Sequence, residues 1–338
     1  MGQLRRDPIV GRWVIVETDL PFLPENFEKE EHHWSGASCP FCYGNEDKTP
    51  PEIEAIRDPK TKPNTPGWEV RVVSNKFPAL QIEGDIERRG VGIYDMSNGI
   101  GAHEVIIQSP YHHKEIPDLL DNEVVNIISM YCRRAVDLKK DKRFRYILVF
   151  KNYGPSAGAS LEHPHTQLIA LPMVPKNPAE EIEGAQEYFE FRERCIFCDI
   201  LRQEIQEKIR IIVENEYFIA FCPFASRFTF EVRIIPKVHN SFYWAMSQAE
   251  LVDLARILKD ILLRLRLVLS DPAYNFIIHT SGLHNDESLA YYHWHIEIMP
   301  KLARVAGFES GTGFYIVWTP PELAARYLRE VEIEEGGK

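Results

Sequence analysis

Apolar residues recur along the chain with two different periods. Over 121–140, Val124, Ile127, Ile128 and Tyr131 fall on one face of a helix, and over 247–269 the same spacing is carried by Leu251, Leu254, Ile257, Leu258, Ile261 and Leu262. Segments 70–80, 103–109, 146–151 and 165–171 are instead strand-like, and 210–222, 227–235, 274–279 and 293–299 read the same way. The pattern predicts an α+β chain of two halves, each mainly antiparallel sheet with one long helix packed on it. The Pro- and Glu-rich stretch 173–194 reads as a connector between domains at 1–172 and 195–338, and 17–35 and 44–66 read as irregular loops.

The halves also carry the same polar features in the same order, which marks an internal repeat. The first runs Cys39-x-x-Cys42, Glu104 to His112, then His163-Pro-His165; the second runs Cys195-x-x-Cys198, Glu231 to His239, then His293-Trp-His295. Each His-x-His follows a strand, at Tyr146 and at Tyr274, and a loop of small residues. His32, His33, His113 and His284 have no counterpart and read as surface or loop residues.

Composition narrows the classes of function. The 338 residues are 44% hydrophobic and 26% charged, with 50 acidic and 39 basic side chains giving a net charge of −11, a soluble globular profile. Without a basic cluster there is no footprint for nucleic acid. No apolar run approaches the ~18 residues that span a bilayer, and the start of the chain lacks a signal-peptide core, so the expected setting is cytoplasmic and away from membranes. In a reducing compartment, paired cysteines point to metal rather than to disulfides.

A CxxC turn offers two thiolates, and distant histidines can complete a tetrahedral zinc site. The repeat nominates Cys39, Cys42, His112 and His163 as one set, and Cys195, Cys198, His239 and His293 as the other. A single CxxC reads equally well as two small buried residues; its duplication beside matched histidines favours metal. Neither pair opens an obvious helix of a βαβ unit, which argues against thioredoxin-like redox chemistry.

The segment Glu162-His163-Pro164-His165-Thr166-Gln167 carries the most chemistry per residue. Positions i and i+2 of a strand share a face, so His163, His165 and Gln167 are expected along one side. A neutral imidazole can attack phosphorus and leave an N–P bond that a second acceptor breaks. His165, one step beyond the metal-anchored His163, is the expected nucleophile. Gln167 can bond a phosphoryl oxygen but cannot protonate a leaving group, which suits a donor whose leaving group is a sugar phosphate. The small-residue loop Asn152 to Ser160 is expected to cradle phosphate through its amides and the Ser160 hydroxyl. The second copy places Glu297 where the first has Gln167, and a carboxylate there would repel a phosphoryl group, so one active site is expected.

On these residues the chain resembles the galactose-1-phosphate uridylyltransferases, the transferase branch of the histidine-triad superfamily, over nearly its whole length. The resemblance rests on the HPHxQ motif at His163 to Gln167, the CxxC at Cys39, the histidine after the Ser109-Pro110 strand end, and Asn75-Lys-Phe77-Pro-Ala-Leu80. It implies two tandem histidine-triad-like domains and a uridylyl group carried on His165 from UDP-glucose to galactose 1-phosphate. It also implies a nucleotide pocket with Asn75, Phe77, Asn152, Gly158 and Ser160, and a homodimer. A second metal on Glu181, His279, His293 and His295 would follow from the best-known members; the second CxxC here instead favours a cysteine-containing zinc site like that of ADP-glucose phosphorylase relatives, with iron as the alternative there. The family's Arg-x-x-Arg-Pro is missing, leaving Lys76, Lys151, Arg5, Arg6 and Arg12 as phosphate cations or ordinary surface charges. Two further readings are an ADP-sugar phosphorylase using inorganic phosphate, and a zinc-stabilised nucleotide-binding protein without turnover.

Overall fold

Alternation along the strands decides which way the chemistry faces. The computed structural model describes residues 2–29, 38–284 and 286–333; His32 and His33 lie outside the described residues. The strands are β1 (Gln3–Arg6), β2 (Trp13–Val16), β3 (Glu52–Arg57), β4 (Trp68–Ser74), β5 (Arg89–Val91), β6 (Tyr94–Met96), β7 (Ala102–Ile107), β8 (Tyr146–Tyr153), β9 (His165–Leu171), β10 (Ile211–Glu214), β11 (Phe218–Phe221), β12 (Val232–Pro236), β13 (Tyr274–His279), β14 (His295–Pro300) and β15 (Tyr315–Val317). The helices are α1 (Asp121–Leu138), α2 (Lys176–Arg192), α3 (Ile196–Glu207), α4 (Gln248–Leu269), α5 (Gly307–Thr312) and α6 (Pro321–Glu330). The architecture is α+β, as expected.

Ten strands form one sheet in the order β10-β11-β12-β14-β13-β8-β9-β7-β4-β3. Read outward from the β13–β8 seam, the two sides carry strands of the same sequence order, and every pairing in the sheet is antiparallel. The repeat seen in the sequence is therefore written into the sheet, which runs unbroken through the seam from Tyr274 opposite Tyr153 to Ile278 opposite Val149.

One face of this sheet is the main core. Leu168 and Ala170 of β9, Ile106 of β7, and Ile296 and Ile298 of β14 meet α1 and α4 there. The buried stripe of α4 runs Leu254, Ala255, Ile257, Leu258, Ile261, Leu262, Leu265 and Leu269, the spacing that puts one helix face on a sheet. Its start is fixed by a capping box in which the Glu250 amide donates to Ser247 Oγ at 3.3 Å and the Ser247 amide to Glu250 Oε2 at 2.7 Å. The opposite face bears His165 and Gln167 on β9, with Cys39, Phe41, Trp68, Val105 and Ile107 as a small cluster beside them.

Three readings change. The segment 173–194 is mostly helix α2, not an irregular connector. The region 44–66 contains β3, the edge strand next to β4. Cys195 immediately precedes α3, so the second CxxC does open a helix, though one that follows another helix rather than a strand.

Helix α2 lies so close to the N-terminal segment that a Cβ on Gly184 would meet the Ile9 carbonyl oxygen at 2.0 Å. Gly184→Ala should therefore lower stability by about 1–3 kcal/mol through overpacking, although alanine is the better helix former by about 1 kcal/mol. A thermal melt with an unchanged or raised midpoint would show that α2 does not pack on Ile9 in this way.

Candidate active site and metal centres

The first four metal candidates converge. Cys42 Sγ lies 3.3 Å from His112 Nδ1 and 3.5 Å from His163 Nδ1, and all four ligand atoms, Cys39 Sγ included, lie within 4.8 Å of one another. His163 Nε2 donates to the Ser109 carbonyl at 2.8 Å, so its Nδ1 lone pair is turned towards the thiols, as a ligand's must be. The knuckle is held by Asn45, whose Nδ2 donates to the Cys39 carbonyl at 2.7 Å. Burial and the adjacent Cys39 push the Cys42 thiol up to about 11, and a cation bound between the sulfurs would reverse that. The donor set fits a tetrahedral N/S ion.

The second set repeats the arrangement, with Cys198 Sγ 3.4 Å from His239 Nδ1 and 3.6 Å from His293 Nδ1. His239 Nε2 donates to the Leu289 carbonyl at 2.8 Å, again leaving Nδ1 for a ligand. Cys195, Cys198, His239 and His293 also lie within 4.8 Å of one another.

His165 begins β9 two residues beyond His163, which itself precedes the strand. Its Nδ1 lies 2.8 Å from the His163 carbonyl; a carbonyl only accepts, so the ring proton sits on Nδ1 and the lone pair on Nε2. Burial, with the Lys151 charge adding to it, pulls the imidazole down to about 4, and the ring is neutral at pH 7. It lines a cavity of about 150 Å³ with Glu115, Lys151, Asn152, Ser160 and Glu162.

Lys151 is not a surface charge. It is 1% exposed and pairs with Glu115 Oε2 at 2.9 Å, donating also to Gln108 Oε1 at 2.9 Å. Gln108 continues to Thr166 Oγ1 at 2.6 Å and Tyr131 at 2.8 Å, so a buried polar chain backs the strand that carries His165. Arg5 is likewise committed, to Glu322 at 2.8 Å, and Arg12 lies 3.7 Å from Asp7. Lys76 and Arg6 are exposed.

The small-residue loop is built differently from the expected amide cradle. Ala157 and Ala159 donate their N–H groups to the Gly154 carbonyl, and Gly158 donates to Pro155, so these three amides are consumed within the loop. Gly158 supplies a left-handed turn at φ 84°, a backbone role, and it does not line the cavity. Ser160 does line it. Asn152 is gripped from the other half: Asn275 Nδ2 donates to Asn152 Oδ1 at 2.8 Å and to the Ala157 carbonyl at 2.9 Å.

Asn75 and Phe77 lie just beyond β4, in an Asx turn where the Phe77 amide donates to Asn75 Oδ1 at 2.9 Å. Phe77 is 83% exposed. Neither lines the His165 cavity, nor does Gln167; the turn meets Gln167 through His103 of β7, whose Nε2 lies 3.0 Å from Asn75 Nδ2 and 2.8 Å from Gln167 Oε1. His103 escaped the sequence reading, and its signal was its place on the same face of β7 as Val105 and Ile107.

The family model described as galactose-1-phosphate uridyl transferase, N-terminal domain, matches residues 3–175, half of the chain. The chain belongs to the galactose-1-phosphate uridylyltransferase family. A second model, described as a domain of unknown function (DUF4921), matches residues 119–335. ADP-glucose phosphorylase of Arabidopsis thaliana is 37% identical over 98% of this chain and 93% of its own length. Galactose-1-phosphate uridylyltransferase of Thermotoga maritima is 29% identical over 99% and 100%. The crystal structure of an Arabidopsis thaliana ADP-glucose phosphorylase with bound ADP-glucose superposes with a TM-score of 0.82 at 35% identity, covering 98% of this chain and all of that one. Membership makes the chain a nucleotidyltransferase. Among the described residues no helix is long and apolar enough to cross a membrane.

The second half of this uridylyltransferase-family chain keeps the strand geometry and fills the space. His295 Nδ1 lies 3.1 Å from the His293 carbonyl, matching His165, but its Nε2 meets Glu181 Oε1 at 3.2 Å. Glu181 comes from α2, so the helix read as a connector closes this face. Glu297, the counterpart of Gln167, is held by Arg227 and by Arg233 at 2.7 Å, and its charge is spent inside the protein.

His279 stands between two carboxylates, 3.0 Å from Glu181 Oε2 and 3.1 Å from Glu297 Oε2. The atoms of Glu181, His279 and His295 lie within 4.8 Å of one another. His293, the fourth residue that the resemblance would place with them, is instead turned towards Cys198 at 3.6 Å.

Burial alone would lower His279, but Glu181 and Glu297 prevail and raise it to about 9. A raised folded value means stability that is fully present below the ordinary imidazole range and lost as pH rises through about 9. The full effect is about 3 kcal/mol. Tyr146 and Tyr292, which face the same carboxylates, are pushed up and do not titrate in this window, His295 is lowered, and Arg227 and Arg233 stay charged. Melts from pH 6.5 to 10 should show His279→Gln less stable than wild type at the acid end and converging with it near pH 10. Parallel curves would remove the assignment.

Proposed function

We propose that the chain transfers a nucleoside monophosphate from a nucleotide sugar through a covalent intermediate on His165. The observation that carries this reading is the fixed tautomer of His165, with Nδ1–H committed to the His163 carbonyl, which leaves the lone pair on Nε2 of a ring that lines the cavity.

In the first step Nε2 attacks the α-phosphorus, the bond to the sugar-phosphate oxygen breaks, and sugar 1-phosphate leaves with the electron pair. The ring becomes cationic while keeping its Nδ1 proton, and the His163 carbonyl stabilises that charge. An acceptor phosphate oxygen then attacks the same phosphorus and the P–N bond returns its electrons to Nε2. No proton has to move, which suits Gln167 as a purely hydrogen-bonding contact for the phosphoryl oxygens. Ser160 and Asn152 serve as further polar contacts, and Asn75 and Phe77 as the nucleoside end of the site. Zinc at the two Cys₂His₂ sites would act structurally, holding Cys39, Cys42, His112 and His163, and Cys195, Cys198, His239 and His293, with no open position for chemistry.

Lys151 supplies the positive charge that the missing arginines would have brought. Lys151→Met should slow nucleotidylation by about 10²-fold and also destabilise the protein, because it strands Glu115. Lys151→Met with Glu115→Gln should restore stability but not rate; a recovered rate would reduce Lys151 to a structural partner.

Two donors fit this chemistry. An ADP-sugar with inorganic phosphate as acceptor is favoured by the 37% identity to an ADP-glucose phosphorylase. UDP-glucose with a hexose 1-phosphate acceptor is favoured by the family model over residues 3–175. Intact mass after mixing with each donor, without acceptor, separates them: an adenylyl or a uridylyl gain names the nucleotide, and no gain with either overturns the covalent mechanism. The division into a catalytic domain at 1–172 and a supporting one at 195–338, and assembly as a homodimer, belong to the same reading; the second is tested by light scattering.

A further inference from the structure

Gln167 can serve a phosphoryl group only if its amide points the right way, because its carbonyl end would face the phosphate's negative oxygens. Rotating the carboxamide by half a turn exchanges donor and acceptor at almost no steric cost. Something must choose between the two orientations.

The Ala79 amide donates to His103 Nδ1 at 3.2 Å. That nitrogen therefore accepts, and the neutral ring carries its proton on Nε2. The Nε2 proton goes to Gln167 Oε1, 2.8 Å away. Asn75 Nδ2, 3.0 Å from the same nitrogen, is a close neighbour that cannot bond to it in this tautomer, and Asn75 Oδ1 is already engaged by the Phe77 amide. With Oε1 fixed, the Gln167 NH₂ is left with no protein partner among the described residues.

We infer that His103 is a positioning residue: by donating to Gln167 Oε1 it holds the glutamine with its NH₂ free for the transferred phosphoryl group. The direction is imposed from the backbone, since the Ala79 amide sets the His103 tautomer and the tautomer sets the glutamine. Through the Ala79 amide the same contact ties the Asn75 to Ala79 turn, which carries the nucleoside end of the site, to Gln167 on β9. The inference rests on the proposed role of Gln167 as a phosphoryl contact.

The test is a double-mutant cycle read by single-turnover nucleotidylation of His165, followed as intact mass with ADP-glucose or UDP-glucose, whichever labels the wild type. Gln167→Ala should slow labelling by about 10²-fold. His103→Ala should slow it by about tenfold or more with an unchanged melting midpoint and metal content, and should add little on top of Gln167→Ala. His103→Gln, whose Nε2–H can reach the same oxygen, should recover most of the rate. If His103→Ala costs the same factor in the Gln167→Ala background, or costs nothing alone, His103 does not act through Gln167. If Gln167→Ala labels at the wild-type rate, it is the role of Gln167 that has failed.

Discussion

Replacing His165 with alanine is expected to lower nucleotidyl transfer by roughly 10⁴- to 10⁶-fold, the scale seen when a covalent nucleophile is removed. The loss should appear in the first half-reaction, as no gain of mass with a nucleotide sugar. The fold should survive. Among the described residues His165 makes one hydrogen bond, to a backbone carbonyl that remains in the variant, and one edge contact with Phe41 at 5.4 Å between ring centres. Its ring lines a cavity that opens to solvent, so the vacated volume fills with water instead of becoming a dry void. A stability cost of about 1–2 kcal/mol follows from the lost bond and contact. His163 keeps its Nε2–H on the Ser109 carbonyl and its Nδ1 towards Cys42, so metal content should not change. Turnover within tenfold of wild type would mean that the acceptor attacks the donor directly, and the two-step mechanism would have to be given up.

The helices α1 and α4 were legible because each presents a wide apolar stripe to the sheet, and the His-x-His segments because a strand's period of two gives His165 and Gln167 a common face. Helix α2 was not, since it buries only Pro178, Glu181, Ile182 and Ala185, too narrow a stripe to stand out against its glutamates. Strand β3 was hidden by its place at the sheet edge, where alternating Glu52, Glu54 and Arg57 mask the apolar positions. The burial of Lys151 depends on Glu115, 36 positions earlier in the sequence, and a charge pair of that span has no local signature. His103 needed the strand register: it lies opposite Ile169, two pairs along from Gln167 on the same face, and becomes a neighbour of Gln167 only once β7 and β9 are aligned. The amides of the 154–160 loop look free in sequence, and only the turn geometry shows where they go. What sequence could supply was residue type and period; what it could not was who meets whom across strands.

The second large effect concerns the metal centres, where Cys39→Ala should cost one equivalent of zinc and on the order of 5 kcal/mol, or a fall of about 10 °C or more in the melting midpoint. The estimate follows from how little else holds this part of the chain. The knuckle at 38–45 lies on the sheet face away from the main core, and its own cluster, built on Cys39, Phe41, Trp68, Val73, Val105 and Ile107, is small. An ion at this site would tie the knuckle to the segment after β7 through His112 and to the start of β9 through His163, three segments far apart in sequence. Removing one sulfur leaves three ligands and a half-buried Cys42 thiol that burial keeps neutral. Activity should fall as well, because His163 is both ligand and the carbonyl that orients His165. Cys195→Ala should cost the other equivalent of zinc and a similar loss of stability, while His165, in the other half, keeps its fixed tautomer and still accepts the nucleotide. The two sites share no residue, so the double variant should lose the sum of the two stabilities. Metal analysis beside calorimetry checks all three variants, and a Cys39→Ala protein that retains two zinc ions per chain and melts with the wild type would show that the ligand set is wrong.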